Sequence, residues 1–291
     1  MLRIELLVDA RNDLGEGPLW DVGEQRLYWI DSHGCAVHRC DARGQERRTW
    51  PVPEHIGSMC LREGGGAVVS LRNGFHTFDL ETGAVDVIAD PEAHLRRTRL
   101  NDGKVDRQGR FLAGGMDYEE REPLSALYRL DPDRTVTRLE ERVVVSNGPC
   151  WSPDGRTFYF ADTWVRRIWA YAYDVDTGNL LSRRVFADFE GHLRGYPDGA
   201  TVDAEGCVWS AEVYGGRLVR FAPDGTIDRL IGMPVDSITS VMFGGADLDV
   251  LYVTSMARPF QGRRRLEREA GGLFAVHGLG VRGLPEPRFK G

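Results

Sequence analysis

No stretch of this 291-residue sequence is apolar over anything near the ~20 residues a membrane-spanning helix needs, so none is expected. Basic charge is also in short supply. The chain has 37 Lys and Arg against 44 Asp and Glu, a formal net charge of −7. Nucleic acid and anionic membrane both select a basic footprint, so neither is expected as the main partner. Five cysteines (Cys35, Cys40, Cys60, Cys150, Cys207), odd in number and scattered, offer no disulfide framework. They fit a reducing, cytoplasmic setting. Arg3, Glu5 and Asp9 interrupt the apolar residues of Met1–Ala10, so no signal peptide is expected there.

Familiar catalytic motifs are missing as well. There is no Gly-x-Ser-x-Gly elbow, no zinc-protease spacing among the seven histidines, and no glycine-rich phosphate loop. His33, Cys35, His38 and Cys40 gather metal-binding residue types, but their spacing fits no standard zinc pattern and the stretch reads as a strand. The run Arg263–Arg268 carries Glu267 within it and Glu269 just after, and reads as a solvated loop.

Helical periodicity is absent too, and a repeated phrase takes its place. A polar residue and a glycine lead into an apolar stretch, a Gly-containing turn, an aromatic-rich strand, and a further strand ending in Asp. The first copy runs from Glu16-Gly17-Pro18 through Leu27-Tyr28-Trp29-Ile30 to Asp41. The clearest runs from Asn147-Gly148-Pro149 through Pro153-Asp154-Gly155 and Thr157–Phe160 to Asp174. Looser copies start at Gly57, Asn101, Asp198 and Val241. Starts lie roughly 40 to 50 residues apart, the length of a four-stranded propeller blade. Six copies predict an all-β, six-bladed β-propeller formed as one domain over residues 1–291. The strand Ile4–Val8 is left over, and pairing it with the last blade would close the ring without an unpaired edge.

In a propeller the first strand of each blade lines the central channel, so residues opening the repeats converge on one mouth. A turn glycine follows Asn101, Asn147 and Asp198 by eight residues and Glu16 by seven. Glu16, Asn101, Asn147 and Asp198 should therefore face one another; counting from the first glycine would select Asp102 in the third blade instead. Two carboxylates and an amide oxygen suit a divalent cation, with coordination positions left open for water or substrate.

The segments Leu14–Pro18, Arg99–Asp106, Ser146–Gly148 and Tyr196–Gly199 make the chain similar to the regucalcin/gluconolactonase family, which includes senescence marker proteins and bacterial sugar lactonases. Phe243-Gly244-Gly245, Tyr252-Val253-Thr254 and Gly271–Phe274 extend the resemblance along the whole chain. It implies that Glu16, Asn147 and Asp198 bind one divalent ion (Ca²⁺, Zn²⁺, Mn²⁺ or Fe²⁺), with Asp198 also the general base. It further implies that Arg99, Asn101 and Glu119 contact the substrate, a small sugar lactone hydrolysed to its aldonic acid. Hydrolysis of organophosphates or aryl esters, calcium binding without catalysis, and a protein-interaction propeller are the other functions such a mouth could serve. Metal-dependent turnover separates the enzymes from the binders.

Overall fold

The computed structural model describes residues 1–259 and 267–291. Among these, the only helix is a single 3-10 turn at Thr163–Val165, and none is long and apolar enough to cross a membrane. Of the arginine-rich run, Arg263, Arg264, Arg265 and Leu266 lie outside the described residues.

Among the described residues, twenty-four strands form six antiparallel four-stranded sheets arranged as a six-bladed β-propeller. After the N-terminal strand β1 (Arg3–Val8), the first blade is β2 (Gly15–Asp21), β3 (Arg26–Asp31), β4 (Ala36–Asp41) and β5 (Arg48–Pro51). The second is β6 (Ile56–Leu61), β7 (Ala67–Leu71), β8 (Gly74–Phe78) and β9 (Val85–Ala89), and the third β10 (Thr98–Val105), β11 (Phe111–Asp117), β12 (Ser125–Leu130) and β13 (Val136–Val143). The fourth is β14 (Ser146–Trp151), β15 (Thr157–Asp162), β16 (Arg167–Tyr173) and β17 (Leu180–Asp188), and the fifth β18 (Tyr196–Val202), β19 (Val208–Val213), β20 (Arg217–Phe221) and β21 (Ile227–Gly232). The sixth combines β22 (Ile238–Gly244), β23 (Val250–Ser255) and β24 (Leu273–His277) with β1. β1 pairs with β24 from Arg3 opposite His277 to Val8 opposite Leu273, which closes the ring as the repeat count required.

Each blade buries both faces, so the core is divided among the gaps between blades. Six apolar clusters each join two neighbouring blades. Trp209 of the fifth blade, fully buried, meets Phe243 of the sixth edge-on with centroids 5.9 Å apart. The Asp that ends the third strand of several repeats is a turn device. Asp41 Oδ1 accepts from the backbone N–H of Arg43 and Gln45, and Asp79 Oδ1 from those of Glu81 and Thr82. Such side-chain-to-backbone bonds satisfy the donors a tight turn leaves free.

The five cysteines are free, and burial pushes the Cys40 thiol up to about 12. His33, Cys35, His38 and Cys40 do not converge as a metal site. Cys40 packs between the sixth and first blades, His38 stacks on Trp29, and His33 faces Arg258.

After β24, residues 278–291 cross the face opposite the starts of the inner strands. The strap is tied to four blades: Gly283 N–H donates to Leu248 O, Arg288 to Asp21, Phe289 N–H to Leu61 O and Lys290 N–H to Gly109 O. Phe289 is buried, and Glu286 and Pro287 line the channel's far half. Across that channel Lys104 Nζ donates to the Ala200 carbonyl at 2.9 Å.

Candidate functional site

Every inner strand carries a bulge near its start. In four blades the register shifts between Glu16 and Leu19, Leu100 and Gly103, Asn147 and Cys150, and Pro197 and Ala200. One extra residue in the inner strand breaks its strict alternation and re-aims side chains at the channel. Glu16 and Asn147 stand just before their bulges, each followed by a glycine in the left-handed region (Gly17 φ +49°, Gly148 φ +57°) that a side chain would strain. Asn101 and Asp198 stand inside theirs. The shared register expected from the turn glycines therefore holds to within one residue, and all four side chains line one open cavity. Asp102 belongs to the deeper chamber, where it accepts from the backbone N–H of Gly103 (2.8 Å) and Gly148 (2.9 Å).

A second set of acids, at the ends of the next strands, fixes where the inner strands begin. Asp31 accepts from Asp13 N–H and Leu14 N–H, both at 3.0 Å, and Asp162 from Val144 N–H (2.9 Å) and Val145 N–H (3.1 Å). Glu212 accepts from Gly195 N–H at 2.7 Å. These carboxylates clamp the backbone two or three residues ahead of Glu16, Asn147 and Asp198. Sequence reasoning missed them, although an acid recurs 14 or 15 residues after each of those three.

The amide of Asn147 is oriented by its own bonds. Its Nδ2 donates to Thr163 Oγ1 at 2.8 Å, and Thr163 donates onward to Pro197 O at 2.9 Å, the residue before Asp198. Asn147 Oδ1 is left to the cavity and to Asn101 Nδ2 at 3.2 Å. Asn101 in turn accepts from Arg99 Nη1 at 2.7 Å. Arg99 is buried, and its Nε has no partner among the described residues.

Electrostatically the cavity floor is frustrated. Burial, then repulsion from Asp198 and Asp102, holds Glu16 well above the usual carboxylate range. Burial, then repulsion from Asp102, does the same to Asp198, whose Oδ1 is buried without a hydrogen-bond partner. Asp102 is pushed up to about 6 by burial, against the pull of Lys104. Neither Glu16 nor Asp198 forms an ion pair among the described residues. A half-buried carboxylate and a buried one with an orphaned oxygen, beside an oriented amide oxygen, fit a hard divalent cation. Asp203, Glu205 and Cys207 also cluster within ligand distance, but Arg220 already bonds to Asp203 and Glu205 there.

Glu119 does not line the cavity. Its side chain is 51% exposed, 3.9 Å from both Arg97 and Arg121. Asp117 gathers the backbone N–H groups of Glu119, Arg121 and Glu122, turning the loop so that Glu120 (φ +56°) lines the cavity instead. Trp164, Tyr214, Met256 and Arg258 complete the wall without having been singled out from sequence.

Known proteins with this architecture are similar along their full length. Regucalcin of Xenopus laevis is 35% identical over 297 residues, covering 100% of this chain and 99% of that protein. A 6-deoxy-6-sulfogluconolactonase of Pseudomonas putida is 36% identical over 288 residues, 99% of each chain. The crystal structure of regucalcin from Agrobacterium tumefaciens, described as a calcium-binding protein, superposes with a TM-score of 0.92 at 26% identity, covering 98% of this chain and 96% of that one. Residues 14–257 match the family model of the SMP-30/gluconolactonase/LRE-like region, and the chain belongs to that family.

Proposed function

We propose that this protein is a metal-dependent sugar lactonase, opening an aldonolactone to its aldonic acid at the cavity formed by Glu16, Asn147 and Asp198. The observation that carries the reading is the convergence of these three oxygen donors from separate blades, with one Asp198 oxygen buried and unpartnered. Family membership and the sulfogluconolactonase relative support the reaction class.

Glu16, Asn147 and Asp198 would hold a single divalent ion, Ca²⁺, Zn²⁺, Mn²⁺ or Fe²⁺. When bound, such an ion polarises a carbonyl oxygen and stabilises negative charge developing there. Asp198 takes a proton from the attacking water. The water oxygen bonds to the lactone carbonyl carbon, the ring C–O bond breaks, and the proton passes to the ring oxygen as it leaves. Proton transfer by a positioned carboxylate contributes typically ~10²–10⁴-fold. Arg99 and Asn101, linked to each other, hold the substrate over the floor. Glu120 takes the substrate-side place expected of Glu119.

The test is a pH-indicator screen of glucono-, galactono-, arabino- and xylonolactone with metal-stripped and reconstituted protein. Turnover should vanish on chelation and return with metal. Unchanged turnover after chelation, or no lactone opening faster than in buffer, refutes the proposal. Metal binding without turnover would instead favour calcium binding alone.

A further inference from the structure

The cavity has a second pole, and it is cationic. Arg99 is buried in one wall and Arg258, half-buried after β23, lines another. Among the described residues neither forms an ion pair with a carboxylate. Arg99 bonds to Asn101 and its own neighbour's carbonyl. Arg258 Nη1 meets His33 Nε2 at 2.9 Å. A guanidinium only donates, so Nε2 must accept, and His33 must be neutral with its proton on Nδ1. Burial, then Arg258 and Arg99 nearby, holds His33 down at about 3, consistent with that role. His33 packs against His55 with ring centroids 4.4 Å apart, and His55 meets the Tyr118 hydroxyl at 2.7 Å. Parts of three blades thus brace Arg258 without neutralising it.

Buried charge without a counter-charge is costly, and such a site gains most from a ligand that supplies one. Counting the cavity as a whole, Glu16, Asp198 and Glu120 face a divalent ion together with Arg99 and Arg258. That set leaves one positive charge unmatched once the metal is in place. We infer that Arg258, braced by His33, forms with Arg99 an anion subsite, and that the lactone this protein takes carries a negatively charged substituent remote from its carbonyl. The inference rests on the lactonase reading and narrows its substrate class. Phosphate, sulfonate and carboxylate share the required chemistry, since each presents several oxygens to a guanidinium.

The experiment compares gluconolactone with its 6-phospho and 6-sulfo counterparts and with a glucarolactone, using metal-reconstituted wild type, Arg258→Met and Arg258→Lys. Calorimetric binding of gluconate and 6-phosphogluconate supplies a readout independent of turnover. The wild type should prefer at least one anionic lactone, and the three arms identify which anion. Arg258→Met should lower the anionic-to-neutral ratio of kcat/KM about tenfold or more, the worth of a charge-assisted hydrogen bond. Arg258→Lys should recover part of the ratio. If neutral and anionic lactones open equally well and Arg258→Met leaves the ratio unchanged, the subsite is refuted while the lactonase reading survives. If no lactone opens but Arg258→Met abolishes a preference for 6-phosphogluconate, the lactonase reading fails and the subsite stands. If the wild type neither opens any lactone nor binds 6-phosphogluconate more tightly than gluconate, both readings are overturned.

Discussion

Replacing Asp198 by Asn separates the two roles given to one side chain. The substitution preserves shape and one oxygen donor while removing a negative charge and the capacity to accept a proton. Without metal, burial and repulsion from Asp102 already disfavour the Asp198 carboxylate. The metal-free variant should therefore melt at a higher temperature than metal-free wild type near pH 8. Metal should bind it more weakly, because one of two carboxylates is gone, yet saturation should remain reachable through Glu16 and Asn147. Turnover at saturating metal should stay low by ~10²–10⁴-fold, or roughly 3–5.5 kcal/mol of barrier. Calorimetric metal titration, thermal melts and indicator kinetics on one preparation measure all three. If excess metal restores near wild-type turnover, Asp198 is only a ligand, and Glu16 or Asp102 becomes the next candidate base.

Asn101→Ala should raise KM while changing metal affinity by no more than about threefold, since its link to Asn147 is a long 3.2 Å contact; a metal titration beside KM tests this, and loss of metal binding would refute it. Asp162→Asn should destabilise the fold by about 1–2 kcal/mol in denaturant melts, because an amide turns one N–H toward Val144 or Val145 N–H. The same variant should weaken metal binding, as Thr163 and Asn147 lose their fixed start; unchanged metal affinity would contradict that positioning role. For pH, the native protein holds protons that the unfolded chain releases, because Glu16, Asp198 and Asp102 are all raised. Stability of the metal-free protein from these groups should thus be full at low pH and be lost as pH rises, for Asp102 between 3.8 and about 6. Thermal midpoints across pH should show that fall and its reduction on metal loading, and a metal-free midpoint rising steadily from pH 5 to 8 would speak against it.

Blade number and ring closure were legible because repeats write the same local signals many times over: turn glycines, aromatic strands, terminal aspartates. The cavity floor was legible for the same reason, since Glu16, Asn147 and Asp198 occupy nearly matching places in different copies. The bulges were not, because an extra residue leaves no mark until pairing is known; Asn101 and Asn147, each eight residues before a turn glycine, were therefore read as equivalent when they differ by one. Glu119 and Glu120 sit in a run of acids whose alternation is set by Asp117 capping the loop, a contact no spacing announces. Arg258 escaped notice because it lies in an irregular segment after β23. Its importance comes from His33 and Arg99, each more than 150 residues away in sequence.

The strap of residues 278–291 and the Lys104 bridge to Ala200 turn what is formally a tunnel into a blind well. Traffic through the ring is blocked, so arrival and departure share one opening. An opened acid has to back out past Arg99 and Arg258, the walls that would have drawn its precursor in. Product and substrate would then compete for the same space, and added acid should slow turnover by occupying the doorway.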